Sequence, residues 1–202
     1  MSRAVVLLQP GAADWEFGHL LACLRAYLGF TVVSATPDGA DVITIGGLRL
    51  EPETGFDTVD LQGAELVVLI GSSAWEGYRD APLFERLKAR VAAGRPTAAI
   101  CAGTLALARA GVLDERPHTS NSLEFISTHG ARDYGGIAHY RDLPHAVSDG
   151  VVITASGAAP VSFAVACMKA VGADPQMIDG FWELARGEFS GLVGGIDGVM
   201  AG

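Results

Sequence analysis

The residue with the most chemistry in its surroundings is Cys101, in the run Arg95-Pro-Thr-Ala-Ala-Ile-Cys-Ala-Gly-Thr-Leu-Ala-Leu-Ala-Arg109. The run reads as an apolar strand, a corner of small residues and a helical stretch. A strand that turns directly into a helix forces its corner residue into a cramped backbone conformation. The small neighbours Ala102 and Gly103 are what such a corner tolerates. The corner holds the side chain off the core, and the free N–H groups at the start of the helix face the sulfur. A thiol placed there is expected to lose its proton more readily than a free one, and the thiolate is the reactive form. The competing reading is a small buried cysteine that does no more than fill a strand end.

Two other apolar runs also end in small or polar residues, giving Gln9-Pro-Gly-Ala-Ala-Asp-Trp-Glu16 and Ile70-Gly-Ser-Ser73. If the three strands are parallel neighbours, these ends share one rim with Cys101, and such rims are where open α/β sheets bind ligands. Glu16 then either complements a helix dipole or sets a carboxyl group beside the sulfur. In the second role it hydrogen-bonds a thiolate when protonated and passes a proton to a substrate. Gly71 and Ser72 are either plain turn residues, or the turn presents the Ser72 N–H, which joins the Ala102 N–H to hold an oxyanion. A Cys–His pair needs a base within hydrogen-bond reach. The first choice among the five histidines is His118, in Arg116-Pro-His-Thr-Ser-Asn121. His19, one helical turn after Glu16, is the second. His129, His139 and His145, in a polar stretch with Tyr134 and Tyr140, read as loop residues.

The elements that must position these residues alternate between strand and helix. Buried strands are expected over Arg3–Gln9, Thr31–Ala35, Glu65–Ile70, Thr97–Cys101 and Val151–Thr154. Helices are expected from Asp14, as cap, to Leu28, then over Ala81–Ala93, from the corner to Gly111, and near Asn121–Thr128, Ala159–Val171 and Gln176–Arg186. Hairpins are expected over Asp41–Leu50, turning at Gly46-Gly47, and around Asp149-Gly150. Alternation with purely apolar strands predicts a doubly wound, mostly parallel sheet with helices on both faces. Residues 1–189 read as one domain, and the Gly-rich stretch 190–202 as a loosely ordered tail.

Composition narrows the functional classes. Half of the 202 residues are hydrophobic, which excludes a disordered chain. A net charge of −9 without a Lys/Arg cluster argues against nucleic acid and against an anionic membrane surface. No apolar run reaches the ~20 residues of a membrane helix, and Met-Ser-Arg leads straight into a strand rather than a signal region. Cys23, Cys101 and Cys167 are widely spaced, without a Cys-x-x-Cys pair or a metal-like cluster. The expectation is a cytoplasmic protein with no metal, no cofactor and a small-molecule substrate.

At this point the chain resembles a known family. Gly11-Ala-Ala-Asp-Trp-Glu16, the Gly71-Ser72 turn and Ala99-Ile-Cys-Ala-Gly103 are similar to motifs of the ThiJ/PfpI superfamily, within the class I glutamine amidotransferase-like fold. Asp149-Gly-Val-Val-Ile-Thr-Ala-Ser-Gly157 and the helix with Ser162-Phe163 extend the likeness to nearly the whole chain. The resemblance implies a flavodoxin-like fold, a functional pair at Cys101 and Glu16, and a homodimer. The three tryptophans Trp15, Trp75 and Trp182 suit such an assembly, with Trp15 beside the rim. Two departures stand out. The family's Pro-Gly-Gly turn is Ile70-Gly71-Ser72 here, and Ala102 stands where the protease-like branch has a His after the elbow Cys. Two classes of function follow. One is a Cys-dependent hydrolase or amidotransferase-like enzyme acting on a small carbonyl, amide or related electrophile. The other is a redox- or stress-responsive protein whose Cys101 oxidises without substantial turnover.

Overall fold

Strand β1 (Arg3–Leu7) is apolar after Arg3, and Ala4, Val5, Val6 and Leu7 are all fully buried. Successive strand residues point to opposite faces, so a strand apolar at every position requires cover on both sides. Val5 and Leu7 pack into one layer with Trp75, Leu83 and Leu87, whereas Ala4 and Val6 pack into the other with Leu20, Leu24 and Phe163. The same split recurs in β6 (Leu66–Leu69), where Val67 and Leu69 enter the first layer and Leu66 and Val68 the second. Each large apolar side chain so buried contributes about 1.5–3 kcal/mol.

The computed structural model describes residues 2–187. Its main sheet has seven strands, with β1 between β2 (Thr31–Thr36) and β6, and the two-residue β5 (Thr54–Gly55) outside β2. Beyond β6 come β7 (Thr97–Ile100), β9 (Val152–Ala155) and β8 (Val147–Asp149). Every pairing is parallel except β8 with β9, which form the hairpin expected around Asp149-Gly150. The doubly wound, mostly parallel sheet read from the sequence is therefore present, and β1, β6 and β7 are adjacent as the shared rim requires. A separate hairpin pairs β3 (Val42–Ile43) with β4 (Arg49–Leu50).

Helices α1 (Asp14–Ala22) and α6 (Pro160–Ala170) cover one face, with α7 (Pro175–Gly187) outside α6. The other face carries α3 (Ala81–Ala92), α4 (Thr104–Arg109) and α5 (Leu123–His129), beside the single turn α2 (Ala74–Gly77). Helix α3 shows the local logic. Asp80 caps it by accepting from the Leu83 N–H, Pro82 sits in its first turn, and Leu83, Leu87 and Val91 recur on the buried face.

Some boundaries differ. The first helix keeps its α-helical form only to Ala22 and continues through Cys23–Tyr27 with wider, π-type turns. Asp14 caps nothing. Its Oδ2 accepts from the Gly46 N–H at 2.7 Å and so ties the β3–β4 hairpin to the rim. Strand β5 and helix α2 have two and four residues, too short to show a period in sequence. Among the described residues, no helix is long and apolar enough to cross a membrane. The stretch 190–202 and the domain end at 189 lie outside the described residues.

Candidate active site

The corner after β7 is as tight as its sequence implies. Cys101 has φ +57°, and among the described residues it is the one non-glycine with positive φ. That conformation costs an L-residue roughly 1–2 kcal/mol and persists because neighbours fix it. A Cβ on Gly103 would stand 2.5 Å from the Leu69 carbonyl oxygen, so only glycine lets the corner lie against β6. The Thr104 hydroxyl donates to the Cys101 carbonyl at 2.6 Å and pairs with the Ser120 hydroxyl at 2.7 Å. The turn beyond the corner is 3-10 over Cys101–Gly103 before α4 begins.

Glu16 approaches from α1. Its place in the first helical turn aims it inward over the ends of β1 and β6, and it is completely buried. Gly71 is clipped between two bonds: it accepts from the Ala13 N–H at 3.0 Å and donates to Glu16 Oε2 at 2.7 Å. Two glycines make room for the pair. A Cβ on Gly71 would lie 2.6 Å from Cys101 Cβ and 2.6 Å from Glu16 Oε2. A Cβ on Gly157 would lie 2.9 Å from Glu16 Oε1 and 3.0 Å from Cys101 Sγ. Carboxyl and thiol thus sit between two backbone segments that approach closely because neither carries a side chain.

A third side chain completes the group. Asn121 Nδ2 donates to Cys101 Sγ at 3.1 Å, and its Oδ1 accepts from the Gly157 N–H at 3.0 Å. An N–H cannot accept, so the Gly157 bond fixes the amide with its nitrogen toward the sulfur. The backbone that carries Asn121 is anchored twice. The Thr119 N–H donates to Thr154 Oγ1 of β9 at 2.9 Å, and Ser120 meets Thr104 of the elbow helix. On the far side, Trp15 Nε1 donates to the Gly157 carbonyl at 2.9 Å, so the residue beside Glu16 also holds this loop.

The electrostatics correct one expectation. Cys101 is pushed up to about 11, first by burial and then by the charge on Glu16, against opposing hydrogen bonds from Asn121 and the Ala102 N–H. The helix start does place its N–H on the sulfur, but desolvation and a carboxylate neighbour outweigh it. Burial also raises Glu16, although hydrogen bonds with Cys101 and Gly71 lower it. The two sites are coupled, and ionising either one makes ionising the other harder. Cys23 and Cys167 are also raised, by burial alone.

The structure therefore brings together Cys101, Glu16, Gly71 and the Ala102 N–H, and it does not bring His118 to them. His118 is fully buried, with Nδ1 at 2.7 Å from the Arg116 carbonyl and Nε2 on the Tyr134 hydroxyl. With both ring nitrogens engaged it has no lone pair to offer Cys101, and among the described residues no histidine hydrogen-bonds that sulfur. His19 instead packs edge-on against Phe181, and His129 faces Glu76 at 3.6 Å. Gly71 is not an oxyanion donor either, because its N–H is committed to Glu16. The Ser72 hydroxyl donates to the Pro10 carbonyl at 2.5 Å and accepts from the Ala74 N–H at 3.1 Å, which holds the turn in place.

Asn121 and Gly157 were missed. The rim rule would have found Gly157, since it follows the end of β9, the neighbour of β7. Asn121 lies three residues past His118, and nothing in its type marks it as a sulfur ligand. Size of cavity is no guide: one of about 780 Å³, between the β8–β9 hairpin, α6 and α7, contains none of these residues.

Comparison with known proteins agrees with the fold. The model of the DJ-1/PfpI family matches residues 2–170. A protein of Bacillus subtilis named uncharacterized protease YoaZ is 35% identical over 164 residues, covering 78% of this chain and 77% of the relative. Another from the same organism, uncharacterized protease YdeA, is 27% identical and covers 89% of this chain and 88% of its own. The crystal structure of a DJ-1 superfamily protein from Agrobacterium tumefaciens is 41% identical, with a TM-score of 0.84 over 93% of this chain and 100% of that one. A ThiJ/PfpI family protein from Bacillus anthracis is 32% identical, with a TM-score of 0.83 over 92% of this chain and 90% of that one.

Proposed function

The chain belongs to the DJ-1/PfpI family, and from that premise we propose that it is a cysteine-dependent enzyme acting on a small carbonyl, amide or related electrophile, with Cys101 as nucleophile and Glu16 as proton carrier. The observation that carries this reading is the packing of the Glu16 carboxyl and the Cys101 sulfur into one space between Gly71 and Gly157. A buried carboxyl whose proton affinity burial raises, set beside the sulfur, is a group able to carry a proton between thiol and substrate. On an aldehyde, the sulfur forms a bond to the carbonyl carbon while the thiol proton travels through Glu16 to the oxygen, giving a hemithioacetal. On an amide or ester, the same attack is followed by transfer of that proton to the leaving group, and water then cleaves the thioester. The Ala102 N–H and the Ser72 N–H are the proposed donors to the developing oxyanion. His118 has no part in this scheme.

The test is a panel of glyoxals, esters, small amides and casein, assayed with wild type, Cys101→Ser and Glu16→Gln. Turnover of one small class that vanishes in both variants is the expected result. Activity that survives Cys101→Ser overturns the mechanism, and cleavage of casein overturns the restriction to small substrates that the occupied His118 supports.

A second reading has its own observation. The Asn121 amide and the Ala102 N–H both point at the sulfur, and these donors would equally hold the oxygens of a sulfinate formed by peroxide. Selective gain of two oxygens on Cys101, without turnover of any panel member, favours that role.

We also infer a homodimer. The β3–β4 hairpin exposes Ile43, Ile45 and Leu48, each more than half accessible, and it is tied to the rim that presents Trp15. Such a patch beside a site suits a second copy of the chain. Sedimentation at micromolar concentration tests it, and a single species of 20.9 kDa contradicts it.

A further inference from the structure

On the face of α4 and α5 away from Cys101, three arginines converge on one cavity. Arg79, Arg109 and Arg132 line a space of about 580 Å³ together with Ser127, Thr128 and Phe84, and no carboxylate lines it. In a chain with 23 acidic and 14 basic residues, three cations around one cavity without an acid run against the overall charge. None of the three forms an ion pair among the described residues; Glu76, the nearby acid, is turned to His129.

The three differ in how they are held. Arg109 is fixed. Its guanidinium donates to the carbonyls of Trp75 at 2.5 Å, Glu76 at 2.9 Å and His129, and its Nε is buried without a partner. Arg79 is anchored by one nitrogen, donating to the carbonyls of Glu76 at 2.8 Å and Tyr78 at 3.0 Å, and among the described residues its remaining donors have no partner. Arg132 makes no hydrogen bond among the described residues and is exposed. Burial and the charge on Arg79 push Arg109 down to about 10, against a smaller opposing effect of the charge on Glu76, so two like charges lie close here. Planar guanidinium forks are the groups best suited to bind phosphate oxygens, and the Ser127 and Thr128 hydroxyls add donors for the rest.

We propose that this cavity is a binding site for a phosphate group, held by Arg79, Arg109 and Arg132 with Ser127 and Thr128. Arg109 ends the helix that begins just beyond Cys101, and it grips α2 after the Gly71-Ser72 turn and the end of α5. A bound phosphate would neutralise the repulsion at this junction and hold together the elements behind the nucleophile. The proposal is independent of what Cys101 does.

Isothermal titration of the full chain with inorganic phosphate, and separately with glycerol 3-phosphate, tests it at constant sodium chloride. The expected result is saturable binding of one or both with a Kd of about 1 mM or tighter. Binding of the ester alone identifies the ligand as a phosphorylated small molecule, and binding of both identifies the phosphate group as sufficient. Arg79→Gln and Arg132→Gln, both outside the carbonyl anchors that Arg109 supplies, should each weaken binding about tenfold while Cys101 alkylation stays at the wild-type rate. Absence of saturable binding by either ligand overturns the site. Binding that both variants retain, or that equimolar chloride displaces as well as phosphate does, also overturns it.

Discussion

Asn121 holds the sulfur of Cys101 at 3.1 Å, and its amide is oriented for that bond by the Gly157 N–H. An amide is a permanent donor and never a base. The group that touches the thiol at this place therefore stabilises its charge but cannot take its proton, which leaves Glu16, among the described residues, as the one titratable partner of the sulfur. The site is built to hold a charge, with a single carboxyl to move protons.

Replacing Asn121 by Ala should raise the thiol pKa, because the lost hydrogen bond favours the thiolate. A bond to a charged group is worth about 1.5–3 kcal/mol when buried and less at a half-open site, so alkylation at fixed pH should slow by up to about tenfold. Iodoacetamide rates measured by mass spectrometry check this, and an unchanged rate would show that the bond carries no charge stabilisation.

Iodoacetamide should also label Cys101 well before Cys23 and Cys167. The reason is access rather than acidity: Cys101 is half-buried, whereas Cys23 is 2% and Cys167 0% exposed. Peptide mapping over a time course reads the order directly, and equal labelling of all three under native conditions would contradict it.

His118→Phe should leave Cys101 reactivity unchanged and lower stability by about 2 kcal/mol or more, because the Arg116 carbonyl and the Tyr134 hydroxyl lose their partner in the interior. Burial holds the His118 pKa below the ordinary histidine value of 6.5. The unfolded chain therefore binds the proton more readily, and this contribution to stability is present above pH 6.5 and is lost as pH falls through the depressed folded value. Urea unfolding at several pH values should show a loss on acidification that is smaller in the variant. Loss of thiol reactivity in the variant would instead return His118 to the site.

How much of this was legible in the sequence depended on the kind of signal. Apolar runs such as Arg3–Leu7 and Leu66–Leu69 fixed the sheet, because a strand buried on both faces cannot be disguised. The Cys101 corner was legible for a similar reason: small residues between a strand and a helix have few other uses. Glu16 required the rim argument, which depends on strand order, and the order β1-β6-β7 confirms the adjacency. The partner of the sulfur was not legible. His118 and Asn121 are three residues apart in an irregular segment, and which one turns to Cys101 is decided by the Thr119–Thr154 and Ser120–Thr104 bonds. The thiol's acidity was misjudged because helix-end N–H groups are visible in sequence while the desolvation that opposes them is not.

Gly157→Ala tests the space itself. A methyl group there would stand about as close to Glu16 Oε1 and Cys101 Sγ as a hydrogen bond, too near for a carbon. The pair must separate or the loop must move, which costs about 1–3 kcal/mol. Thermal unfolding should show a modest loss, and Cys101 alkylation should change several-fold with it. A variant that keeps wild-type stability and reactivity would mean that the close approach is not required.

The pairing of Cys101 with Glu16 is tested most directly by the pH dependence of Cys101 alkylation in wild type and in Glu16→Gln. The charge on Glu16 is one of the causes that push the thiol up to about 11. Glutamine keeps the shape and removes that charge, so the midpoint in the variant should fall by about one unit or more. Coincident profiles, or a midpoint that moves upward, would contradict a charged carboxyl coupled to the thiol.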